Sequence, residues 1–162
     1  MKILVLLVVL TALILPTAIF AQPPAQTPPL PCVPSAGDVH FVCGHTAPED
    51  LVLVPGSEWV VATSYGGTGG IRIVNVKTKV TTLAYPSSTA KEQQDKKTYA
   101  ACPGPPDAAQ KAMFTTHGIA LREGKNSLHT LYVVNHGKRE SIEVFELNAK
   151  MSPPVLTWMS SR

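Results

Sequence analysis

The chain has 162 residues, enough for one ordinary domain, and carries a formal net charge of +3 with only 15% charged residues. So weak a positive charge, with no basic patch, gives no electrostatic case for nucleic-acid binding, and we expect no nucleic-acid partner. An apolar segment at the N-terminus raises the hydrophobic content of the whole chain to 44%.

The first residues, "MKILVLLVVLTALILPTAIFAQ", are typical of a signal peptide over residues 1–21. Lys2 gives the short positive start, an apolar run follows, Pro16 breaks it, and cleavage after the small residue Ala21 fits the usual pattern. This predicts an exported protein, periplasmic or extracellular. An uncleaved membrane anchor over residues 3–20 stays open as the alternative, and only then would the chain contact a membrane.

Residues 22–47 are predicted to form a Pro-rich leader and linker. The stretch "QPPAQTPPLPCVP" is too dense in proline for a helix or a sheet, because proline lacks the backbone N–H and has a fixed φ. We expect an extended spacer at this point.

Three cysteines follow, Cys32, Cys43 and Cys102. Cysteines of exported proteins usually pair, and an odd number leaves one over or implies a partner elsewhere. No Cys-x-x-Cys or Cys/His zinc spacing is present in the sequence, so metal binding through sulfur is not expected. The pairing itself stays open.

Four short apolar, β-branched runs occur between Glu49 and Tyr85, separated by the turn sequences "PGSE", "YGGTGG" and "KTK". No helical period extends over a useful length here. The runs predict four strands, at 51–54, 59–63, 71–76 and 80–84.

The same rhythm returns from His117 to Met159, with strands predicted at 117–121, 130–135, 142–147 and 155–159. "EDLVLVPGS" aligns with "HGIALREGK", and "WVVATSYGG" aligns with "LYVVNHGKR". Tandem four-stranded units of about 40 residues are typical of β-propeller blades. We therefore expect an all-β fold over residues 48–162, with blades at about 49–85 and 117–159. A β-sandwich with coincidental alternation is the alternative.

The insertion between the two copies, residues 86–116, is long, polar and rich in turn residues. Within it, "DAAQKAMF" predicts a short helix with Asp107 as N-cap. Long insertions are often functional or act as lids. A plain surface loop is an equally good interpretation.

If each copy is a blade, one edge of the sheets collects Glu49, Asp50 and His117 at the heads of first strands and His136 at the end of a second strand. Carboxylate oxygens without cysteine favour calcium or magnesium. A histidine can act as a general base, and a base beside a cation that polarises a carbonyl makes a workable hydrolase. Taken singly, the Glu-Asp pair is more typical of a solvated turn, and each histidine is more typical of a half-buried structural side chain.

At these residues the chain resembles a known family. "APEDLVLVPGSEWVVATS" and "THGIAL" followed by "LYVVNHGKRESIEVFEL" resemble the paraoxonase/arylesterase and SMP-30/gluconolactonase group of six-bladed propellers. The resemblance implies that calcium is held by Glu49, Asp50 and the backbone carbonyl of Ile119. It also implies that His117 and His136 form a dyad that activates water to hydrolyse a small-molecule lactone or ester.

A six-bladed propeller needs about six such units, and two are present in this sequence. We therefore expect this chain to be the N-terminal part of a hydrolase and inactive as a fragment. Its outer faces would be bare, with Val52, Val54, Ile73 or their neighbours exposed. The alternative function is that of a non-catalytic propeller that binds a ligand or partner through the same face, because a fold alone does not fix function.

Overall fold

The structure is a computed structural model that describes residues 32–33, 35–66 and 69–162. The predicted signal peptide and most of the Pro-rich stretch lie outside the described residues. In the described part of the chain, no helix is both long enough and apolar enough to cross a membrane.

The described residues are mainly β-structure, with eleven strands, one short α-helix and one 3₁₀ helix. Their bounds are β1 Ser35–Ala36, β2 Val39–His40, β3 Pro48–Leu53, β4 Trp59–Ser64, β5 Gly70–Asn75, β6 Thr81–Tyr85, β7 Lys91–Glu92, α1 Ala108–Ala112, β8 Thr116–Arg122, the 3₁₀ helix Lys125–Ser127, β9 Leu128–His136, β10 Glu140–Asn148 and β11 Val155–Ser161. All eight strands predicted in the two copies are present, and the all-β class is confirmed.

The strands form three open sheets. The first is the β1–β2 hairpin, the second has the order β3-β4-β5-β6, and the third has the order β7-β11-β10-β9-β8. Neighbouring strands are antiparallel except β7, which runs parallel to β11. Each sequence copy thus makes one four-stranded meander, and the insertion adds β7 to the second.

The core lies between the four- and five-stranded sheets. It is formed by strand residues whose side chains point alternately into the core and away from it. Along β9, for example, every second residue is buried, as expected for a strand with one face on a core. The buried cluster consists of Val54, Val61, Ile71, Ile73, Tyr85, Phe114, Leu131, Val133, Phe145, Leu147, Leu156 and Trp158. The Tyr85 ring packs edge-on against Phe114 and Phe145, with centroids 5.1 and 4.9 Å apart.

A β-bulge interrupts the first strand pair of the four-stranded sheet. Pro48 lies opposite Ser64 and Leu51 lies opposite Ala62, so β3 holds one more residue than β4 between these pairs. The extra residue falls at Glu49–Asp50. A bulge of this kind bends the strand and redirects the side chains that it carries.

A matching bulge interrupts the first strand pair of the five-stranded sheet. Thr116 lies opposite Asn135 and Ile119 lies opposite Val133, so the extra residue falls at His117–Gly118. The two copies therefore share an irregular feature as well as their regular strands. Glu49–Asp50 and His117–Gly118 occupy equivalent positions, as the sequence alignment has them.

The same register corrects the alignment of the second strands by one residue. Ser64 is equivalent to Asn135, so Tyr65, rather than Ser64, is equivalent to His136. The error arose because the sequence comparison contains no information about which residues pair across strands.

The two large sheets stack front to back. By the same register, Val61 is equivalent to Tyr132. Val61 is fully buried between the sheets, whereas Leu131 and Val133 are the β9 residues that face this core, and Tyr132 lies between them on the opposite face. One face of the first copy therefore packs on the other face of the second.

The outer face of the four-stranded sheet carries exposed apolar side chains. Leu51 and Leu53 are 64% and 69% exposed. Of the residues expected on a bare face, Val54 and Ile73 are instead buried between the sheets at 1% exposure each, and Val52 packs against the same buried cluster. Their neighbours on β3, Leu51 and Leu53, are the exposed residues. The direction in which β3 alternates, which the sequence alone left open, decides this.

Parts of the predicted linker and parts of the insertion pack on the sheets. Cys32 and Cys43 form a disulfide, and the Thr81 hydroxyl donates to the Cys43 carbonyl (2.8 Å). In the insertion, α1 begins at an N-cap, Asp107, that forms a capping box with Gln110, as the sequence predicts for the cap. Phe114 is fully buried, so the insertion contributes to the core.

Candidate functional site

Two threonine hydroxyls join the sheets where the bulged strands β3 and β8 meet. Thr63 Oγ1 donates to the His117 carbonyl (2.6 Å) and accepts from the Asp50 N–H (3.0 Å). Thr116 Oγ1 accepts from the Ser64 N–H (3.0 Å) and donates to the Gly70 carbonyl (2.7 Å). Since both threonines are fully buried, these bonds fix the two bulges relative to each other.

Three rings gather above this junction. The centroids of the His117 and His136 rings are 5.5 Å apart, and the Tyr65 ring lies 5.4 Å from the first and 6.2 Å from the second. The two imidazoles are partly exposed, and Tyr65 is 49% exposed. The structure thus brings together the two histidines that the sequence selected, and adds a tyrosine.

Each imidazole has its own carboxylate partner. His117 Nε2 lies 2.7 Å from Glu49 Oε1, and His136 Nδ1 lies 2.7 Å from Glu140 Oε2. An ionised carboxylate can only accept hydrogen bonds, so the ring nitrogen donates in both pairs. In the neutral ring, the other nitrogen then carries a free lone pair, Nδ1 in His117 and Nε2 in His136.

Asp50, the second residue of the β3 bulge, links the two sheets through its carboxylate. One of its carboxylate oxygens accepts from the Leu51 N–H (2.8 Å), and the other accepts from the Ile119 N–H (3.1 Å). Glu49, Asp50 and Ile119, the three residues that the resemblance assigns to calcium, therefore lie within one neighbourhood.

These residues suit calcium in kind, because carboxylate and carbonyl oxygens are its preferred ligands, but not in number, since calcium takes about six to eight oxygens. Across the residues that the structure describes, no group of three or more His, Cys, Asp or Glu side chains is arranged to hold a metal ion. The remaining oxygens of a calcium site would have to come from elsewhere.

Asn135 holds the turn that carries His136. Its Oδ1 accepts from the N–H groups of Thr115 and Gly137 (3.1 Å each), and its Nδ2 donates to the Arg139 carbonyl (2.9 Å). Asn135 is 1% exposed, so a buried amide organises the backbone beside an exposed imidazole.

Sequence reasoning missed Tyr65 and Glu140. Tyr65 begins the sequence "YGGTGG", which is typical of a loose turn and gives no sign of a functional residue. Its equivalence with His136 can be recognised only from the strand register. Glu140 lies directly opposite His136 in the β9–β10 pair. The signal for it was the four-residue spacing across a short hairpin turn, where facing residues pair.

The other histidines lie away from these rings. His40 is exposed, as expected. His129 was expected on the surface but is only 6% exposed, because β9 begins earlier than predicted and its alternation turns this side chain inward. His129 Nδ1 accepts from the Gly124 N–H (3.3 Å). Burial and the nearby Arg72 lower the pKa of His45.

The chemistry available at this edge is that of a partly exposed general base. A free imidazole lone pair can take a proton from water, and Tyr65 gives a ring face and a hydroxyl beside it.

Comparison of the chain with protein-family models, with curated proteins and with solved structures finds no match.

Proposed function

We propose that this chain carries part of the active site of an exported, calcium-dependent hydrolase of small lactones or esters, similar to the paraoxonase/arylesterase and SMP-30/gluconolactonase group. The observation that supports this function best is the pair of imidazoles, 5.5 Å apart, at one end of the neighbouring strands β8 and β9 of the five-stranded sheet. The resemblance in sequence supplies the reaction class, and the geometry is compatible with it.

The proposed architecture is a six-bladed propeller of which this chain contributes two blades. The shared bulge and the front-to-back stacking support it over a sandwich, because repeated blades pack one face on the next blade's other face around a ring. In such a ring, the edge with the histidines would face the central channel opening.

The proposed roles follow from the contacts. His117 and His136 act as the dyad that takes a proton from water as it attacks the carbonyl carbon of the substrate. Glu49, Asp50 and the Ile119 carbonyl would hold calcium. When bound, the ion supplies positive charge that polarises the substrate carbonyl and stabilises the oxyanion.

The test is hydrolysis of a panel of γ- and δ-lactones and aryl acetates by the protein isolated from the cells that make it, at whatever length it has there. We expect hydrolysis with added calcium and its loss after treatment with a calcium chelator. Calcium-independent hydrolysis, or none on any member of the panel, would contradict the proposal. Tight binding of a panel member without turnover would favour the non-catalytic alternative.

A further inference from the structure

We propose, building on the hydrolase function above, that Glu140 is a positioning residue that fixes His136 as the Nδ1–H tautomer and leaves its Nε2 lone pair available as the base. The observation is the 2.7 Å contact between His136 Nδ1 and Glu140 Oε2. Because the carboxylate only accepts, the proton of the neutral ring resides on Nδ1.

The pair has the logic of the carboxylate–histidine arrangement in acyl-transfer enzymes. There, a carboxylate bonded to one ring nitrogen orients the imidazole and stabilises the imidazolium that forms when the other nitrogen takes a proton. In this chain, Nε2 is the ring nitrogen that does not contact Glu140, and the His136 side chain is 36% exposed. His136 then acts as the base through Nε2, and Glu140 orients the ring through its bond to Nδ1.

Glu140 also differs from the partner of His117. Glu49 bonds to His117 but is also one of the proposed calcium ligands, so the same carboxylate would serve both the ion and the imidazole. Glu140 has no second partner in the described part of the chain. His136 therefore keeps its carboxylate when calcium is bound, which favours His136 over His117 as the ring with the fixed tautomer.

An exposed pair of this kind is usually loose, and the Glu140 side chain is 70% exposed. Here the backbone of both residues is held. His136 and Glu140 are register partners, the His136 N–H donates to the Thr115 carbonyl (2.8 Å), and a Cβ at Gly137 would overlap the Met113 carbonyl oxygen. The turn between them thus packs tightly on the end of the insertion.

An ion pair between Arg139 and the buried Glu143 also holds the turn between β9 and β10. Arg139 donates to Glu143 Oε1 (2.8 Å) and to the Gly104 carbonyl (3.1 Å). Glu143 is fully buried and also accepts from Ser141 Oγ and Trp158 Nε1, each at 2.7 Å. Because the backbone of both residues is held, the carboxylate and the imidazole stay within bonding reach of each other.

The test is ¹⁵N NMR of the imidazole nitrogens of the full chain, at a pH where His136 is neutral. In the wild type we expect a protonated Nδ1 and an unprotonated Nε2 at His136. Glu140→Ala should return the ring to a mixture of tautomers, and Glu140→Gln should not keep a single Nδ1–H form either, because its amide can present the oxygen or the NH2 group to Nδ1. Glu123→Ala, in the exposed β8–β9 turn, is the matched control and should change nothing.

Unchanged His136 nitrogen shifts in Glu140→Ala, or a protonated Nε2 in the wild type, would overturn the inference. Where the protein hydrolyses a lactone, Glu140→Ala should lower kcat about tenfold with little change in KM, and Glu140→Gln should lower kcat as well, because its amide no longer selects one tautomer. If no substrate is hydrolysed while the tautomer still depends on Glu140, the proposed function fails and the positioning role stands.

Discussion

Cys102 shows how a few hydrogen bonds set the chemistry of one side chain. Burial raises the pKa of its thiol, but hydrogen bonds from Ser160, Gly104 and Ser161 outweigh this and lower the pKa to about 7. The Ser161 N–H donates to its sulfur at 3.3 Å. Cys102 lies outside the Cys32–Cys43 disulfide and is therefore a free thiol.

We expect Cys102 to be alkylated with a rate that rises through pH 7, since the thiolate is the reactive form. Ser160→Ala removes one of the hydrogen bonds that lower the pKa and should move this midpoint to higher pH. The rate of iodoacetamide labelling, followed by mass spectrometry from pH 5 to 10, measures it, with Cys102→Ser as the unlabelled control. A midpoint near the ordinary cysteine value in the wild type would contradict this prediction.

The residues of the candidate site were only partly predictable from the sequence. His117 and His136 could be paired because each follows or precedes an apolar run that repeats, and strand direction then places both at one edge. Tyr65 could not, because its equivalence with His136 depends on the bulges at Glu49–Asp50 and His117–Gly118. Glu140 could have been found from its four-residue spacing to His136, since the β9–β10 pairing is regular there. A bulge shifts the register by one residue and leaves no mark in the hydrophobic pattern.

At the scale of elements, the β9–β10 hairpin depends on its buried ion pair. Removing one member of a buried pair leaves an uncompensated charge, which usually costs about 3–5 kcal/mol. We expect Glu143→Ala to lower the free energy of unfolding by this amount, since Arg139 would lose its partner and two further donors would lose their acceptor. Denaturant unfolding measures the change.

Glu146→Ala is the matched control for that measurement. Glu146 lies on the same strand but is partly exposed, and surface changes usually fall within about 0.5 kcal/mol. Equal effects of the two substitutions would show that the Arg139–Glu143 pair does not anchor the hairpin.

The long strands were predictable and the short ones were not. β9 and β10 alternate over nine residues each, which gives a clear period of two. β1, β2 and β7 have two residues each, too few to show any period, and β7 pairs with a strand more than sixty positions later. Such pairing is set by tertiary packing of the insertion, which includes the burial of Phe114.

At the scale of the whole molecule, the open face of the four-stranded sheet should promote association. Leu51 and Leu53 are among the most exposed large apolar residues of the described chain, and contiguous apolar surface favours contact with other molecules. We expect Leu51→Lys combined with Leu53→Glu to reduce self-association without loss of the fold. Light scattering at increasing protein concentration, with circular dichroism beside it, tests this.

Thr78→Lys is the control for that double substitution, because it adds a charge in the exposed β5–β6 turn, away from the face. It should leave the association unchanged. A wild-type chain that stays monomeric over the whole concentration range would be the contrary result.

The front-to-back packing of the sheets could not be predicted from the sequence. The repeat in the sequence predicts two similar sheets, but which face of each is buried depends on residues such as Val61 and Tyr132, both compatible with either side of a strand. Only the packing itself, with the Thr63 and Thr116 hydroxyls bonded across the junction, selects one stacking.

The most direct test of the hydrolase proposal is the rate of calcium-dependent lactone hydrolysis by His117→Gln, measured beside its calcium affinity, in the protein isolated at its native length. We expect the rate to fall by about 10² or more while calcium affinity stays close to that of the wild type, because the imidazole serves as part of the base and not as a ligand. Asp50→Asn, the comparison variant, should instead weaken calcium binding and lower the thermal midpoint. A His117→Gln protein that hydrolyses lactones at the wild-type rate, or that loses calcium as Asp50→Asn does, would contradict the account.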